Sequence, residues 1–311
     1  MMEYLLLVIG LVVLLAGGKY LVEGASGLAV RLGLSPGLIG LTVVAFGTSA
    51  PELLVSINAA LKGTSDIALG NVVGSNIANI SLVLGLSALL YPITIRMAIL
   101  RMDYLFTVLT AFLFYFLAFD VQISRMEGGI LLIILIALNW YFFKKLKVAD
   151  ESLEGEVDFG SLKTTPIWKS LLLFSIGVLG LYFGSDLLVE NAVKISKSIG
   201  ISERIIGVTI VAVGTSLPEM VTSIIAALKK ETDIAIGNIL GSNIMNILAI
   251  IGITASIQPI AVGEIFLQKD FLWMIGITLL LFPLLRRNLK LGMGEGLILL
   301  AVYGAYLYTI L

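Results

Sequence analysis

The 311-residue chain contains no cysteine and no histidine, and only 13% of its residues are charged. The missing thiols exclude disulfides and thiolate metal sites, and the missing imidazoles exclude a histidine proton relay or metal ligand. Charged residues make up about 25% of a typical soluble domain, so a soluble globular protein is excluded as well. The formal net charge of −1 comes without a basic cluster, and nothing indicates a nucleic-acid partner.

Apolar sequence is abundant: 59% of the residues are hydrophobic and the mean hydropathy is +1.06. Because a membrane-spanning helix needs about 20 apolar residues, the chain is predicted to be an all-α polytopic membrane protein. Apolar runs between charged breaks predict ten transmembrane helices. Their ranges are 4–30, 37–61, 67–90, 102–119, 127–143, 168–197, 204–228, 234–257, 271–285 and 294–311.

One passage of the chain occurs twice. Residues 40–85 and 207–252 align without a gap at an offset of 167, and 27 of the 46 positions are identical. The identities are mostly Gly, Ser, Thr, Asn, Pro, Glu and Asp, which fit a binding site better than a lipid-facing surface. Duplicated hydrophobic segments that are interrupted by Gly and Pro are typical of the substrate site of a transporter.

The duplication predicts three parts: a first five-helix repeat at 1–145, an acidic linker at 146–166 and a second five-helix repeat at 167–311. Because five is odd, the second repeat is inverted, and the two similar passages meet near the bilayer midplane. Loops on one side of the membrane hold thirteen Lys and Arg residues, against six on the other. The positive-inside rule therefore places the linker in the cytoplasm and both termini outside the cell membrane.

The first polar centre of each repeat reads GTSAPE at 47–52 and GTSLPE at 214–219. Gly and Pro in mid-span predict a broken helix, which membranes tolerate where the backbone lines a cavity. An alternative is a capping box between Ser49 and Glu52 that only restarts the helix. A carboxylate at the bilayer centre costs about 2.5–3.5 kcal/mol. Since Glu219 repeats the acid, we interpret the charge itself as needed.

The second polar centre reads GNVVGSNIAN at 70–79 and GNILGSNIMN at 237–246. Positions spaced by four residues share one helix face, so this centre predicts a polar stripe. An alternative is helix packing through the glycines, with Ser and Asn as interhelical hydrogen-bonding groups. We expect both roles: the glycines bring helices together, while inward-pointing oxygens come from Ser75, Asn79, Ser242 and Asn246.

Together these residues offer two carboxylates, several hydroxyls and amides, and backbone carbonyls. This donor set suits calcium, sodium or another hard cation and disfavours zinc and copper. The two Glu supply a charge of −2, which one Ca²⁺, two Na⁺ or two protons would neutralise. Because an uncompensated charge is costly in a low dielectric, such a site favours ion exchange over release. The matched acids Asp66 and Asp233 begin the third and eighth spans, where a helix-dipole role suffices.

The doubled GTSxPE and GNxxGSNxxN passages resemble the α-repeats of the calcium/cation antiporter superfamily, most closely its prokaryotic sodium/calcium exchangers. The resemblance implies an inverted five-plus-five helix fold with four ion sites between the repeats. It also implies electrogenic exchange of three sodium ions for one calcium ion by alternating access, as the first and sixth spans slide across the core.

The resemblance assigns the ion ligands as well. Calcium would bind the two acids and two threonine carbonyls, Glu52, Glu219, Thr48 and Thr215. One sodium site would use Ser49, Ser75 and Glu52, and the other Ser216, Ser242 and Glu219. Two alanine carbonyls and two asparagines would complete the set, namely Ala45, Ala212, Asn79 and Asn246.

Two departures from relatives bear on the coupling ion. Some relatives, including potassium-dependent exchangers, have Asp where this chain has Asn246, which weakens the case for potassium. The proton-coupled branch has an acid where this chain has Gly74 and Gly241. A proton-coupled or potassium-dependent antiporter for calcium or another divalent cation stays an alternative, and a cation channel is a remote one. We expect no enzymatic activity, no cofactor and no obligatory protein partner beyond the transported ions and membrane lipid.

Overall fold

The computed structural model describes residues 2–146, 166–200, 212–286 and 288–310, and these residues are almost entirely helical. The first half contains α1 (Met2–Leu32), α2 (Pro36–Thr48), α3 (Ala50–Leu61), α4 (Ser65–Leu90), α5 (Met97–Arg101), α6 (Asp103–Leu117) and α7 (Arg125–Leu146). The second half contains α8 (Ile167–Ser198), α9 (Ala212–Thr215), α10 (Leu217–Leu228), α11 (Thr232–Ile257), α12 (Phe271–Arg286) and α13 (Met293–Ile310).

Eight helical segments in the described ranges are long and apolar enough to cross a membrane, and the bent pair α2–α3 makes a ninth. They agree with nine of the ten predicted spans. The predicted seventh span is described only from residue 212, because 201–211 lie outside the described residues. Residues 147–165 of the predicted linker lie outside them too. The prediction of an all-helical, multi-span membrane protein is confirmed.

The helix break predicted at the first polar centre is confirmed. Helices α2 and α3 meet at an angle of 45°, and Ser49 between them departs from helical geometry with φ −86° and ψ 5°. Pro51 causes the break because it has no N–H to donate and its ring crowds the preceding turn. The capping-box alternative is wrong: neither Ser49 nor Ser216 caps the following helix through its side chain.

Two short sheets join the halves of the chain. Strand β1 (Ile93–Thr94) follows α4, β2 (Gln122–Ile123) precedes α7, β3 (Ile260–Ala261) follows α11, and β4 (Lys290–Leu291) precedes α13. β1 pairs antiparallel with β4, and β2 pairs antiparallel with β3. Each pair connects one half to the other, so the two halves interlock at both ends of the helical bundle.

The helices that carry the second polar centre occupy the middle of the molecule. In the most apolar stretch of α11 all residues are buried, and in that of α4 78% of the residues are buried. The corresponding shares are 33% for α1 and 22% for α8. Each central helix contains a π-helical turn, Asn79–Val83 in α4 and Asn246–Ile251 in α11. Such turns are frequent at functional sites, and here each begins at a predicted ligand.

The two longest helices, α1 and α8, pack against each other along a seam of small residues. A Cβ added at Gly17 would lie 2.6 Å from the backbone nitrogen of Leu181, so only glycine permits this approach. Small residues let membrane helices approach closely. The seam repeats every seventh residue on both helices, at Gly10, Gly17, Gly24, Ser170, Gly177 and Gly184.

We expect Gly17→Ala to lower thermal stability in detergent. The added methyl overlaps backbone atoms of α8, which have little freedom to move aside, and overpacking of this kind costs about 1–3 kcal/mol. The matched control is Gly304→Ala in α13, where nothing lies within 4 Å of the added Cβ and stability should stay level or rise. Equal melting temperatures for the two variants would contradict close backbone packing in the seam.

Candidate ion-binding site

The two acids of the first polar centre lie in the first turns of α3 and α10, directly after the helix breaks. Glu52 and Glu219 are both completely buried, and they are close enough for their charges to repel. Salt bridges in the described ranges are Arg96–Asp233, Lys194–Glu190 and Lys229–Glu23, and none includes either acid. The centre of the molecule therefore contains two carboxylates without a basic partner among the described residues.

The two carboxylates differ in their hydrogen bonds. Oε1 of Glu219 accepts hydrogen bonds from the hydroxyls of Ser49 at 2.9 Å and Ser242 at 3.5 Å. Within the described part of the chain, Oε2 of Glu219 and both oxygens of Glu52 have no partner. Ser216, the counterpart of Ser49, is buried with an unpartnered hydroxyl. One oxygen of Glu219 is thus hydrogen-bonded, whereas neither oxygen of Glu52 has a partner in the described residues.

The backbone hydrogen bonds at the two helix breaks differ. The carbonyl of Ala45 accepts the N–H of Ser49 at 3.0 Å. The N–H of Ser216 donates to the carbonyl of Val213 at 3.1 Å. Ala212 is the first residue of α9.

The two predicted threonine ligands lie in different surroundings. Thr48 is fully buried, and its hydroxyl lies 3.1 Å from Oδ1 of Asn238 and 3.5 Å from the hydroxyl of Ser242. Thr215 is half-buried and lines a cavity. The cavity described below therefore lies against the second threonine, whereas the first is enclosed.

Four asparagines form a symmetric ring between α4 and α11. Nδ2 of Asn76 donates to the backbone carbonyl of Asn243 at 3.3 Å, and Nδ2 of Asn243 donates to that of Asn76 at 3.1 Å. Asn79 donates to Oδ1 of Asn243 at 3.1 Å, and Asn246 donates to Oδ1 of Asn76 at 3.0 Å. The ring uses the amide nitrogens of Asn79 and Asn246 and leaves their buried Oδ1 atoms without partners among the described residues.

The sequence did not reveal the role of the ring's outer members. Asn76 and Asn243 are identical in the two copies of the passage, yet they were not assigned as site residues. They hold α4 against α11 and orient two predicted ligands. The sequence feature that could have indicated this role is the identity of both residues in the two copies, at positions outside the polar stripe.

Asn71 and Asn238 also support the site in a way that was not predicted. Nδ2 of Asn71 donates to the backbone carbonyl of Glu52 at 3.1 Å and to Ser56 at 3.0 Å. Nδ2 of Asn238 makes the equivalent bonds to the carbonyl of Glu219 at 3.4 Å and to Ser223 at 2.9 Å. Each bond fixes the first turn of an acid-bearing helix against a central helix.

Ser185 connects the outer helix α8 to the second helix break. Pro218 cannot donate to Gly214 four residues earlier, and the hydroxyl of Ser185 donates to that carbonyl at 3.0 Å. The equivalent position in the first half is Gly18, which has no hydroxyl. Ser185 lies outside the duplicated passage and differs between the halves, so no repeat signal indicated it.

Unpartnered buried oxygens concentrate at this site. Buried side-chain polar atoms normally have partners, yet seven predicted ligand atoms have none in the described residues: Glu52 Oε1 and Oε2, Glu219 Oε2, Ser75 Oγ, Ser216 Oγ, Asn79 Oδ1 and Asn246 Oδ1. Leaving such a group unsatisfied costs about 1–3 kcal/mol. Seven of them would consume most of a typical folding free energy of about 5–15 kcal/mol. These oxygens fit cations, because Ca²⁺ takes six to eight oxygen ligands.

The charge at the site comes from only two acids. The described residues contain no group of three or more Asp, Glu, His or Cys side chains that could hold a metal ion. Neutral oxygens must therefore complete any coordination shell, which is the role that the hydroxyls and amides can fill.

A cavity of about 470 Å³ leads to one side of the site. It extends from Asp66 and Ile310 near the surface to Ser75 and Thr215, between α4, α9 and α13. On the opposite side α2 packs directly on α11, where a Cβ added at Gly237 would lie 2.6 Å from the carbonyl oxygen of Gly37. In the described residues, the cavity thus reaches the site from the side of Asp66 and Ile310, and α2 contacts α11 on the other side.

We expect Asn76→Ala to lower both stability and ion affinity. The change leaves Nδ2 of Asn246 without its acceptor and removes a bond between α4 and α11, which costs about 1–3 kcal/mol. The matched control is Asn139→Ala, because Nδ2 of Asn139 bonds only the Leu135 carbonyl of its own helix. Thermal melting with and without calcium measures both effects. A calcium-induced shift of wild-type size in Asn76→Ala would contradict the positioning role.

Comparison with known proteins identifies the family of this chain. A family model described as "Sodium/calcium exchanger protein" matches residues 2–144 and again 169–311. The chain is 39% identical to the putative antiporter CaxA of Alkalimonas amylolytica, over 97% of this chain and 96% of that protein. It is 33% identical to the sodium/calcium exchanger MaX1 of Methanosarcina acetivorans, over 99% and 98% of the two chains.

Among solved structures, the fold matches the sodium-calcium exchanger NCX_Mj in crystals soaked with sodium and calcium. The TM-score is 0.87 at 30% sequence identity, and the match covers all of this chain and 99% of the other. Together with the doubled family match, the full-length relatives and the two buried acids, this assigns the protein: the chain belongs to the sodium/calcium exchanger family.

Proposed function

We propose that this chain exchanges calcium for sodium across the cell membrane by alternating access. Three sodium ions move against one calcium ion, so each cycle carries one net charge. The observation that carries the proposal is the group of seven unpartnered buried oxygens around two acids without a basic partner in the described residues. The printed names of MaX1 and NCX_Mj, both sodium/calcium exchangers, agree with it.

The proposed ligands are the twelve residues assigned from the sequence. Calcium binds the two carboxylates and two threonine carbonyls, and each carboxylate shares a sodium ion with two serines. The unpartnered Ser75 and Ser216 are free to supply hydroxyl oxygens in the present conformation. The full set is Glu52, Glu219, Thr48, Thr215, Ser49, Ser216, Ser75, Ser242, Asn79, Asn246, Ala45 and Ala212.

The proposed architecture is ten spans in two inverted five-helix repeats, 1–145 and 167–311, with a cytoplasmic linker at 146–166. The two family matches support it because their limits differ by the same offset as the duplicated passage. The asparagine ring also supports it, since each of its hydrogen bonds has a counterpart in the other half. In this proposal the seventh span is residues 204–228, as the sequence predicts.

The conformation fits a transporter whose site opens to the outside. The cavity mouth lies beside the start of α4 and the end of α13, on the side that the positive-inside rule predicts to be extracellular. In the proposed conformation the opposite side, where α2 packs on α11, is closed. In the proposed cycle, the α1–α8 pair slides as one body and exchanges which side is closed.

The structure favours sodium over the alternative coupling ions at two positions. An acid at Gly241 would meet the backbone of Leu41, whereas a Cβ added at Gly74 meets nothing within 4 Å, so the packing opposes the acid of the proton-coupled branch in the second half only. Nδ2 of Asn246 donates to Asn76, and a carboxylate at that position could not make this bond. Both observations support a sodium-coupled site with two acids.

We expect Glu52→Gln and Glu219→Gln to abolish calcium-45 uptake into proteoliposomes loaded with sodium. Each change removes half of the site charge that one Ca²⁺ neutralises, at nearly unchanged size. The matched control is Glu264→Gln at an exposed position, which should transport like the wild type. Wild-type uptake in Glu52→Gln would contradict the proposal.

The same assay separates the alternatives. Uptake should require internal sodium, saturate with calcium, and respond to membrane potential because the cycle is electrogenic. Uptake driven by a proton or potassium gradient would establish the alternative antiporters instead. Non-saturating uptake without any counter-ion would establish a channel.

We expect cysteine labelling to confirm the orientation. The chain has no native cysteine, so Lys62→Cys and Arg101→Cys, both at exposed positions, are matched single-thiol variants. A membrane-impermeant maleimide added to intact cells should label position 62 and leave position 101 unlabelled until the cells are opened. The reverse pattern would contradict external termini and a cytoplasmic linker.

A further inference from the structure

Asp66 and Asp233 are the second residues of α4 and α11 and so occupy equivalent positions, but their surroundings differ. The residues that face them are also equivalent at the offset of 167, since Arg96 follows β1 and Gly263 follows β3. One aspartate therefore faces an arginine and the other faces a glycine. The two halves therefore differ at these positions, which lie at opposite ends of the helical bundle.

On the closed side, the charge of Asp233 is neutralised. Nε of Arg96 lies 2.8 Å from Oδ2 of Asp233, whose side chain is only 13% exposed. A Cβ added at Gly37 of α2 would lie 3.8 Å from Cβ of the same aspartate. An ion that approached the site from this side would meet an acid that is already paired.

On the open side, the charge of Asp66 is not neutralised. A Cβ at Gly263 would lie 3.7 Å from Oδ1 of Asp66, so glycine occupies the place from which an arginine would reach it. Asp66 is exposed and lines the cavity. No Lys or Arg of the described residues forms a salt bridge with it.

The cavity connects Asp66 to the proposed ion site. Ser75, whose hydroxyl is buried and unpartnered in the described structure, lines the inner end of the same cavity. Tyr306 lines its wall and donates its hydroxyl hydrogen to Oδ1 of Asp270 at 3.1 Å. A cleft that carries charge of one sign between low-dielectric walls focuses the field and raises the local concentration of counter-ions.

We propose that Asp66 recruits cations into the open cavity and so sets the apparent calcium affinity on that face alone. The paired Asp233 has no such effect on the other face, and the exchanger is kinetically asymmetric despite its symmetric ligands. This inference rests on the proposed function for its physiological ion. The charge of the cavity mouth can be measured without transport.

The first experiment measures calcium-45 uptake against calcium concentration on the open face. Asp66→Asn should raise KM about fivefold at low ionic strength, because one carboxylate attracts a divalent ion across several ångströms of water. The maximal rate should stay unchanged, and the difference should shrink at high salt as charges are screened. Gly263→Arg should have the same effect by pairing Asp66.

The matched control is Asp120→Asn, which removes an exposed carboxylate from the loop before β2, away from the cavity lining. It should leave KM unchanged. An unchanged KM in Asp66→Asn, or an equal rise in the control, would overturn the proposal. So would a loss of maximal rate alone, which a merely structural role at the helix start would produce.

A second experiment needs no transport. Ile67 lines the cavity and is 57% exposed, so Ile67→Cys places a single thiol beside Asp66. The rates of its reaction with cationic and anionic methanethiosulfonate reagents report the local charge. Asp66→Asn should reduce the cation-to-anion rate ratio several-fold, and Asp120→Asn should not. An unchanged ratio overturns the proposal, whereas absent sodium-dependent uptake with a changed ratio overturns only the proposed function.

Discussion

The burial of two carboxylates in the middle of a membrane protein is the constraint on which the rest of the structure depends. Neither Glu52 nor Glu219 has a basic partner in the described residues, and an unpaired buried charge costs several kcal/mol. The helix breaks put both acids at helix starts, where the macrodipole favours negative charge. In the proposed site a bound cation satisfies the surrounding oxygens, and ion occupancy would then be part of the folding free energy.

The central helices meet this constraint with hydrogen bonds that do not involve the ions. The asparagine ring holds α4 to α11 through bonds between side-chain amides and backbone carbonyls. The bonds of Asn71 and Asn238 hold the acid-bearing helices in the same way. The frame is therefore symmetric, whereas the proposed ligands are not: Ser49 bonds Glu219, and its counterpart Ser216 has no hydrogen-bond partner in the described residues.

The sequence predicted what depends on repetition and periodicity. The duplicated passage, the span limits and the helix breaks follow from apolar run length and from Gly and Pro chemistry, which act locally. It did not predict which hydroxyl would reach which acid, because that depends on the relative position of helices far apart in the chain. Ser49 was assigned to the site, but its bond to Glu219, like that of Ser185 to Gly214, is decided by tertiary packing.

The glycine seam between α1 and α8 has a consequence for how the protein is made. Helix α1 leaves the ribosome before its partner α8, and the rest of the first half is synthesised between them. At about 5–20 residues per second, that delay is on the order of ten seconds. During this time the small-residue face of α1 must be covered by lipid, by another helix or by the insertion machinery. The first half therefore exists for several seconds without the helix that packs against α1 in the folded protein.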